Sequence, residues 1–148
     1  MVTRSILTII VLGIMIAQGQ STSPAKDPRY LQAKSMERGG LYKQAEDTYI
    51  LLNTEQPKST VYFLALKSML KNRGDYKSLL DYSMSYSNAR GGDLISQLEV
   101  LESLILLDQD VEWRKLLNTV ANSNIYEQGS VVLIVNRLIS LQKIDEAK

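Results

Sequence analysis

Apolar residues recur along this chain at helical spacings, and short turns carrying glycine, proline or aspartate interrupt them. Between Tyr30 and Pro57, Leu41, Ala45, Tyr49 and Leu52 fall four, four and three residues apart, the stripe of an amphipathic helix. The segment before it offers a weaker face: Leu31, the aliphatic stem of Lys34, Ser35 and Met36. Gly39-Gly40 separates the two. Asp27 followed by Pro28 suits an N-cap and a first helical position, so the pattern predicts one helix over Pro28 to Arg38. A second runs from Tyr42 to about Thr54. Ser59 or Thr60 caps a third, with Phe63, Leu66, Met69 and Leu70 on its face and Gly74 as its stop. A fourth, from Tyr76 to about Asn88, turns Leu79, Leu80, Tyr82 and Tyr86 inward.

Arg90-Gly91-Gly92-Asp93 is the next break, with Asp93 as N-cap. The fifth helix, Leu94 to Leu107, carries Leu94, Leu98, Leu101 and Ile105, and Leu104, Leu106 and Leu107 widen that stripe until burial on more than one side is expected. Asp108-Gln109-Asp110 forms a turn, and a sixth helix follows with Trp113, Leu116, Leu117 and Val120. Asn124 to Glu127 resembles a capping box for a seventh helix, ending near Leu141, with Val131, Ile134, Val135, Leu138 and Leu141. Ile144 to Lys148 begins an eighth.

The turns keep a rhythm. The step from Gly40 to Gly74 equals the step from Tyr42 to Tyr76. Its length is that of a repeat of about 34 residues whose closing half ends A-x3-F…P, a pattern that Ala45, Tyr49 and Pro57 match. On these residues, with Ala33, Gly40 and Tyr42, the segment from about residue 28 to 148 resembles the tetratricopeptide (TPR) repeat family. The usual tryptophan, leucine and glycine of the first helix are replaced by Arg29, Gln32 and Ala33. The rhythm is expected to falter in the third hairpin, where Trp113 takes the place of the packing alanine and the hairpin is degenerate or slightly lengthened. Ala147 lies three full periods after Ala45. An all-α fold follows from the periodicity, and the resemblance implies an α-solenoid of about three and a half antiparallel hairpins; the residues before it read, from their own pattern, as a signal peptide. The stop within the first turn of the eighth helix suggests the N-terminal part of a longer protein.

Composition narrows the chemistry. The chain has 148 residues, a formal charge of +1, no histidine and no cysteine. That excludes Ser-His-Asp and Cys-His nucleophiles, thiolate zinc sites and disulfides. Near-neutrality argues against a nucleic-acid partner, which needs a basic surface. No cofactor is implied. Arg4 followed by the apolar run Ile6 to Ile16, about eleven residues long, has the form of an export signal. A membrane-spanning helix needs ~20 residues. Cleavage between Gly19 and Gln20, after small residues at Ala17 and Gly19, leaves residues 20–27 as a linker and 28–148 as the repeat domain. It removes Arg4 alone from 17 basic residues, leaving 16 against 16 acidic ones. The expected destination is the periplasm or the extracellular space, as part of a bacterial envelope; a retained anchor is the alternative.

The resemblance also implies a concave groove lined by the first helix of each hairpin: Tyr30, Lys34 and Glu37, then Val61, Leu64, Ser68 and Lys71, then Leu98, Glu102 and Ile105, then Val132, Asn136 and Ile139. Such a groove suits a helical or extended peptide. The expected function is therefore non-catalytic protein–protein binding by an exported scaffold. The alternative is the repeat module of a larger exported enzyme or sensor whose active domain lies beyond residue 148. Other motifs read as structure. Asp108-Gln109-Asp110 is a turn with an N-cap, Arg73-Gly74-Asp75 an inter-helix turn, and Glu99 with Glu102 an exposed or groove-edge charge pair. Tyr62, Tyr82, Tyr86 and Trp113 are read chiefly as core.

Overall fold

Side-chain caps and left-handed turns cut this chain into helices at regular intervals. The computed structural model describes residues 23–124 and 128–142. The export signal with its Gly19–Gln20 junction, residues 125–127 of the capping box and the eighth helix from Ile144 lie outside the described residues. Within them there are seven α-helices and no strand: α1 (Pro28–Arg38), α2 (Tyr42–Glu55), α3 (Thr60–Arg73), α4 (Tyr76–Ala89), α5 (Leu94–Leu106), α6 (Asp110–Asn124) and α7 (Gln128–Ser140). None is long and apolar enough to cross a membrane. A short 3-10 turn, Pro24–Lys26, precedes α1 and packs against α1 and α3.

The caps are local and mostly visible in the sequence. Asp27 accepts from the Arg29 amide at 2.8 Å, Ser59 from Tyr62, Asp75 from Ser78 at 3.1 Å and Asp93 from Ser96 at 2.9 Å. Each satisfies an amide that the helix itself leaves without a partner. Asp27 does more. Its carboxylate also accepts from the Tyr62 hydroxyl at 3.1 Å, which ties the start of α1 to α3. The Arg29 side chain beside it holds the acid below its ordinary range.

The rhythm is carried by the backbone. Helices α2, α4 and α6 start at Tyr42, Tyr76 and Asp110, two equal steps along the chain. The residue two places before each start is left-handed: Gly40 at φ 79°, Gly74 at 74° and Asp108 at 54°. Gln142, one further step after Asp108, is left-handed too, at 60°. In the three complete turns the left-handed residue donates its amide three carbonyls back, to Glu37, Lys71 and Ile105. The next amide reaches five back, to Met36, Leu70 and Leu104. This is the Schellman closure of a helix end. The third hairpin is therefore not lengthened: Trp113 stands in register with Ala45 and Leu79, and the period holds.

Asp108 alone among the three hairpin turns carries a side chain in that conformation, and it is exposed. Replacing Asp108 with Gly removes the Cβ clash of the left-handed region at some cost in unfolded-chain entropy, for an expected net gain of about 0.5–1 kcal/mol. A higher urea midpoint checks this; an unchanged one would mean that the local turn already tolerates aspartate.

The second helix of each hairpin buries one stripe in the same register. Ala45, Tyr49 and Leu52 become Leu79, Ser83 and Tyr86, then Trp113, Leu117 and Val120, and all nine are buried. Bulk moves within the stripe: where the first position is small the second is large, and Leu79 sits above the small Ser83. Leu41, expected in the stripe, is exposed because it is the residue before α2. Val131 of α7 is also exposed, while Ile134 and Leu138 face inward. Helix α5 is buried around most of its circumference, as its leucine excess predicts.

Two apolar cores result. One joins Ala33, Ala45, Tyr49, Leu66, Met69, Leu70 and Leu79; the other joins Leu98, Leu101, Leu104, Ile105, Trp113, Leu117, Val120, Ile134 and Leu138. Between them α4 meets α5 across serines. Ser83 and Ser103 are hydrogen-bonded at 2.8 Å, and Ser96 donates to Ser87 at 3.3 Å. Small hydroxyls let the two helices approach and satisfy one another. The seam is polar; Leu80 and Leu106 are the apolar side chains that reach over it.

Candidate groove and charge cluster

The first helices of the first two hairpins enclose an open concavity of about 400 Å³, lined by Tyr30, Lys34, Glu37, Tyr49, Val61, Leu64, Ala65 and Ser68. Tyr30 and Lys34 are a helical turn apart on α1, as are Leu64 and Ser68 on α3, so each pair shares a face. Tyr30 is held between two buried rings, 5.9 Å from Tyr49 and 5.8 Å from Tyr62. Lys34 lies over the Tyr30 ring, Nζ 5.7 Å from the centroid. The Tyr49 hydroxyl, rising from α2, donates to Glu37 Oε2 at 3.0 Å. Burial, and then this bond to Glu37, raise its pKa, so Tyr49 stays a neutral donor. The concavity has an aromatic floor, one apolar wall at Val61 and Leu64, and Lys34 with Glu37 on the other.

A second depression of about 280 Å³ adjoins it, sharing Leu64 and Ser68 and adding Lys67, Lys71 and Asn72. Beyond this the surface changes. Leu98 and Ile105 are core residues, packed with Trp113 and Leu138, and offer no wall to a ligand. Glu102 is 3 % exposed and Glu99 5 %. The pair expected to be exposed or at the groove edge is instead buried, because cations arrive from both neighbouring helices. Lys67 on α3 bonds both carboxylates, reaching Glu102 at 2.6 Å. Lys71 reaches Glu102 at 2.7 Å. Arg137 on α7 also bonds both, with Glu99 at 2.8 Å.

All four carboxylate oxygens thus have a cationic partner. Burial acts to raise the Glu102 pKa, but the hydrogen bonds from Lys67 and Lys71 and the charges of Lys67 and Arg137 outweigh it and leave the acid below its ordinary 4.5. Arg137 is raised: desolvation opposes its charge, and the two glutamates more than compensate. Lys67, Glu99 and Arg137 were not among the groove candidates. One signal was present: Lys67 stands one period after the packing position Ala33, a charge where the first hairpin buries a methyl.

The remaining candidates separate. Asn136, Val132 and Ile139 are exposed on α7, away from the two depressions. Arg73 is bound to Glu46 at 2.8 Å and to Asp75 at 2.6 Å, and Asp75 caps α4, so this tripeptide is a turn tied to its own scaffold. Asp110 accepts from the Trp113 indole at 2.9 Å. Among the described residues no group of three or more acidic side chains is placed to hold a metal ion. Tyr62, Tyr86 and Trp113 are buried, and Tyr86 stacks on Phe63 at 4.2 Å. Compared with models of known protein families, with curated proteins and with solved structures, the chain matches none.

Proposed function

We propose that this chain is an exported, non-catalytic TPR-like solenoid that binds a peptide or a segment of another protein in its groove. The observation that carries the reading is the concavity between α1 and α3, which gathers Tyr30, Lys34, Glu37, Leu64 and Ser68 into one surface. The even spacing of the left-handed turns supports the repeat architecture. The site has the anatomy of a peptide seat. Rigid aromatic rings form its floor, and half-exposed Leu64 offers an apolar anchor point. Charged groups at the rim orient the chain rather than supply most of the affinity. The pattern from Arg4 to Gly19 supports export.

A random peptide library displayed on phage and selected on the immobilised chain tests this. Peptides enriched on the wild type are expected to lose at least about tenfold in affinity, ~1.4 kcal/mol, on Leu64→Asp, which buries a carboxylate under the ligand. Leu64 is 47 % exposed, so circular dichroism should be unchanged. A folded protein that enriches no sequence, or a variant that retains every one, overturns the proposal.

A further inference from the structure

The serine seam and the charge cluster lie at the same junction. Between the cores, α4 and α5 meet through the hydroxyls of Ser83, Ser87, Ser96 and Ser103, with Leu80 and Leu106 reaching across. The same junction is spanned by ions, from Lys67 and Lys71 on α3 to Glu99 and Glu102 on α5, and on to Arg137 on α7. These side chains are 31 to 38 positions apart in sequence and join three consecutive first helices. One period earlier the two glutamates have no charged equivalent: Glu99 and Glu102 correspond to Ala65 and Ser68. Nothing in the repeat requires the cluster.

We propose that these five side chains form a clasp that fixes the angle between the two halves of the array, holding α7 at a set distance from α3 and so setting the width of the concave side. Ion pairs suit this task better than leucines would. An apolar contact tolerates sliding, whereas Arg137 must meet two carboxylates at once while Lys67 meets the same two from the opposite side. Its use in groove binding rests on the function proposed above; the clasp itself does not, and it is tested without a ligand.

Because the chain has no cysteine, spin labels can be placed uniquely at Asn72→Cys on α3 and Ile139→Cys on α7, both exposed and outside the cluster. Electron–electron double resonance on the otherwise unaltered chain should give one narrow distance peak. Arg137→Gln should broaden it or shift it outward. Adding Glu102→Gln to that variant should do little more, since both changes undo one unit. Should Arg137→Gln lose its helical circular dichroism, the charge-balanced pair Glu102→Met with Arg137→Met keeps the bulk without the bonds and is expected to fold with a broadened peak. A folded variant of either kind that keeps the narrow peak overturns the clasp, and would assign the position of α7 to Ile134 and Leu138 alone.

Discussion

Trp113→Ala is expected to destabilise the protein by about 3–5 kcal/mol, the range for removing a fully buried large aromatic residue. Trp113 has no exposed surface and joins α6 to the leucines of α5 and to Ile134 and Leu138 of α7. The partly buried side chains packed against this core, such as Leu80, Leu116 and Leu141, are each much smaller than the indole, so a cavity is expected to remain. The loss also leaves the Asp110 carboxylate without its indole donor. Domains of this size have about 5–15 kcal/mol to lose, so urea denaturation followed by circular dichroism will show the change. The damage should be regional. The Tyr30–Tyr49–Tyr62 group is remote from Trp113 and should keep its near-ultraviolet signal when the second core has melted, as expected where neighbouring units stack. A single transition seen alike by both probes would show that the seam transmits cooperativity despite its polarity.

The second large effect is at Glu102. Glu102→Ala removes the acceptor of Lys67, Lys71 and Arg137, leaving Lys67 and Arg137 to share Glu99 and Lys71 without its carboxylate, for an expected cost of about 3–5 kcal/mol, as when one partner of a buried ion pair is deleted. Glu102→Met together with Arg137→Met should cost far less, since one charge of each sign leaves and the space stays filled. The contrast separates broken pairing from lost packing, and equal costs would show that only volume matters here. Acid should act in the same direction. With its folded-state pKa depressed, Glu102 contributes stability that is fully present above its ordinary 4.5 and is lost as pH falls through the lower folded value. The capping acids Asp27, Asp75 and Asp93 are lowered too, so the midpoint in urea should hold above about pH 5 and fall below about pH 4.

The helices were legible because their determinants are local. Asp27, Ser59 and Asp93 mark helix starts by accepting from amides two or three residues on, Gly74 marks an end by donating its amide to the Lys71 carbonyl, and the stripe through Ala45, Tyr49 and Leu52 needs only the helical period. In the candidate site, helical spacing puts Tyr30 with Lys34 and Leu64 with Ser68 on shared faces, while setting the two faces opposite one another came from the family resemblance; the concavity between α1 and α3 brings these four residues together. The failure at Trp113 is instructive. Residue identity changed from alanine to leucine to tryptophan while the backbone period stayed, because the turn at Asp108 is closed by main-chain bonds that any residue tolerating a left-handed conformation can make.

Over the described residues the sequence by itself determined where the chain is helical and where it turns, and showed one interval repeating across the first two hairpins, since caps, left-handed positions and apolar periods act within one or two turns of helix. That the third hairpin keeps the same interval was decided by the backbone at Asp108. Only the tertiary structure decided what the glutamates of α5 are. Glu99 and Glu102 carry no local mark that distinguishes an exposed pair from a buried one. Their state depends on Lys67, Lys71 and Arg137, which lie far along the chain in both directions and come within bonding distance only when the hairpins stack. Charge separated so far along a chain has no fixed meaning until packing brings it together and removes the water between.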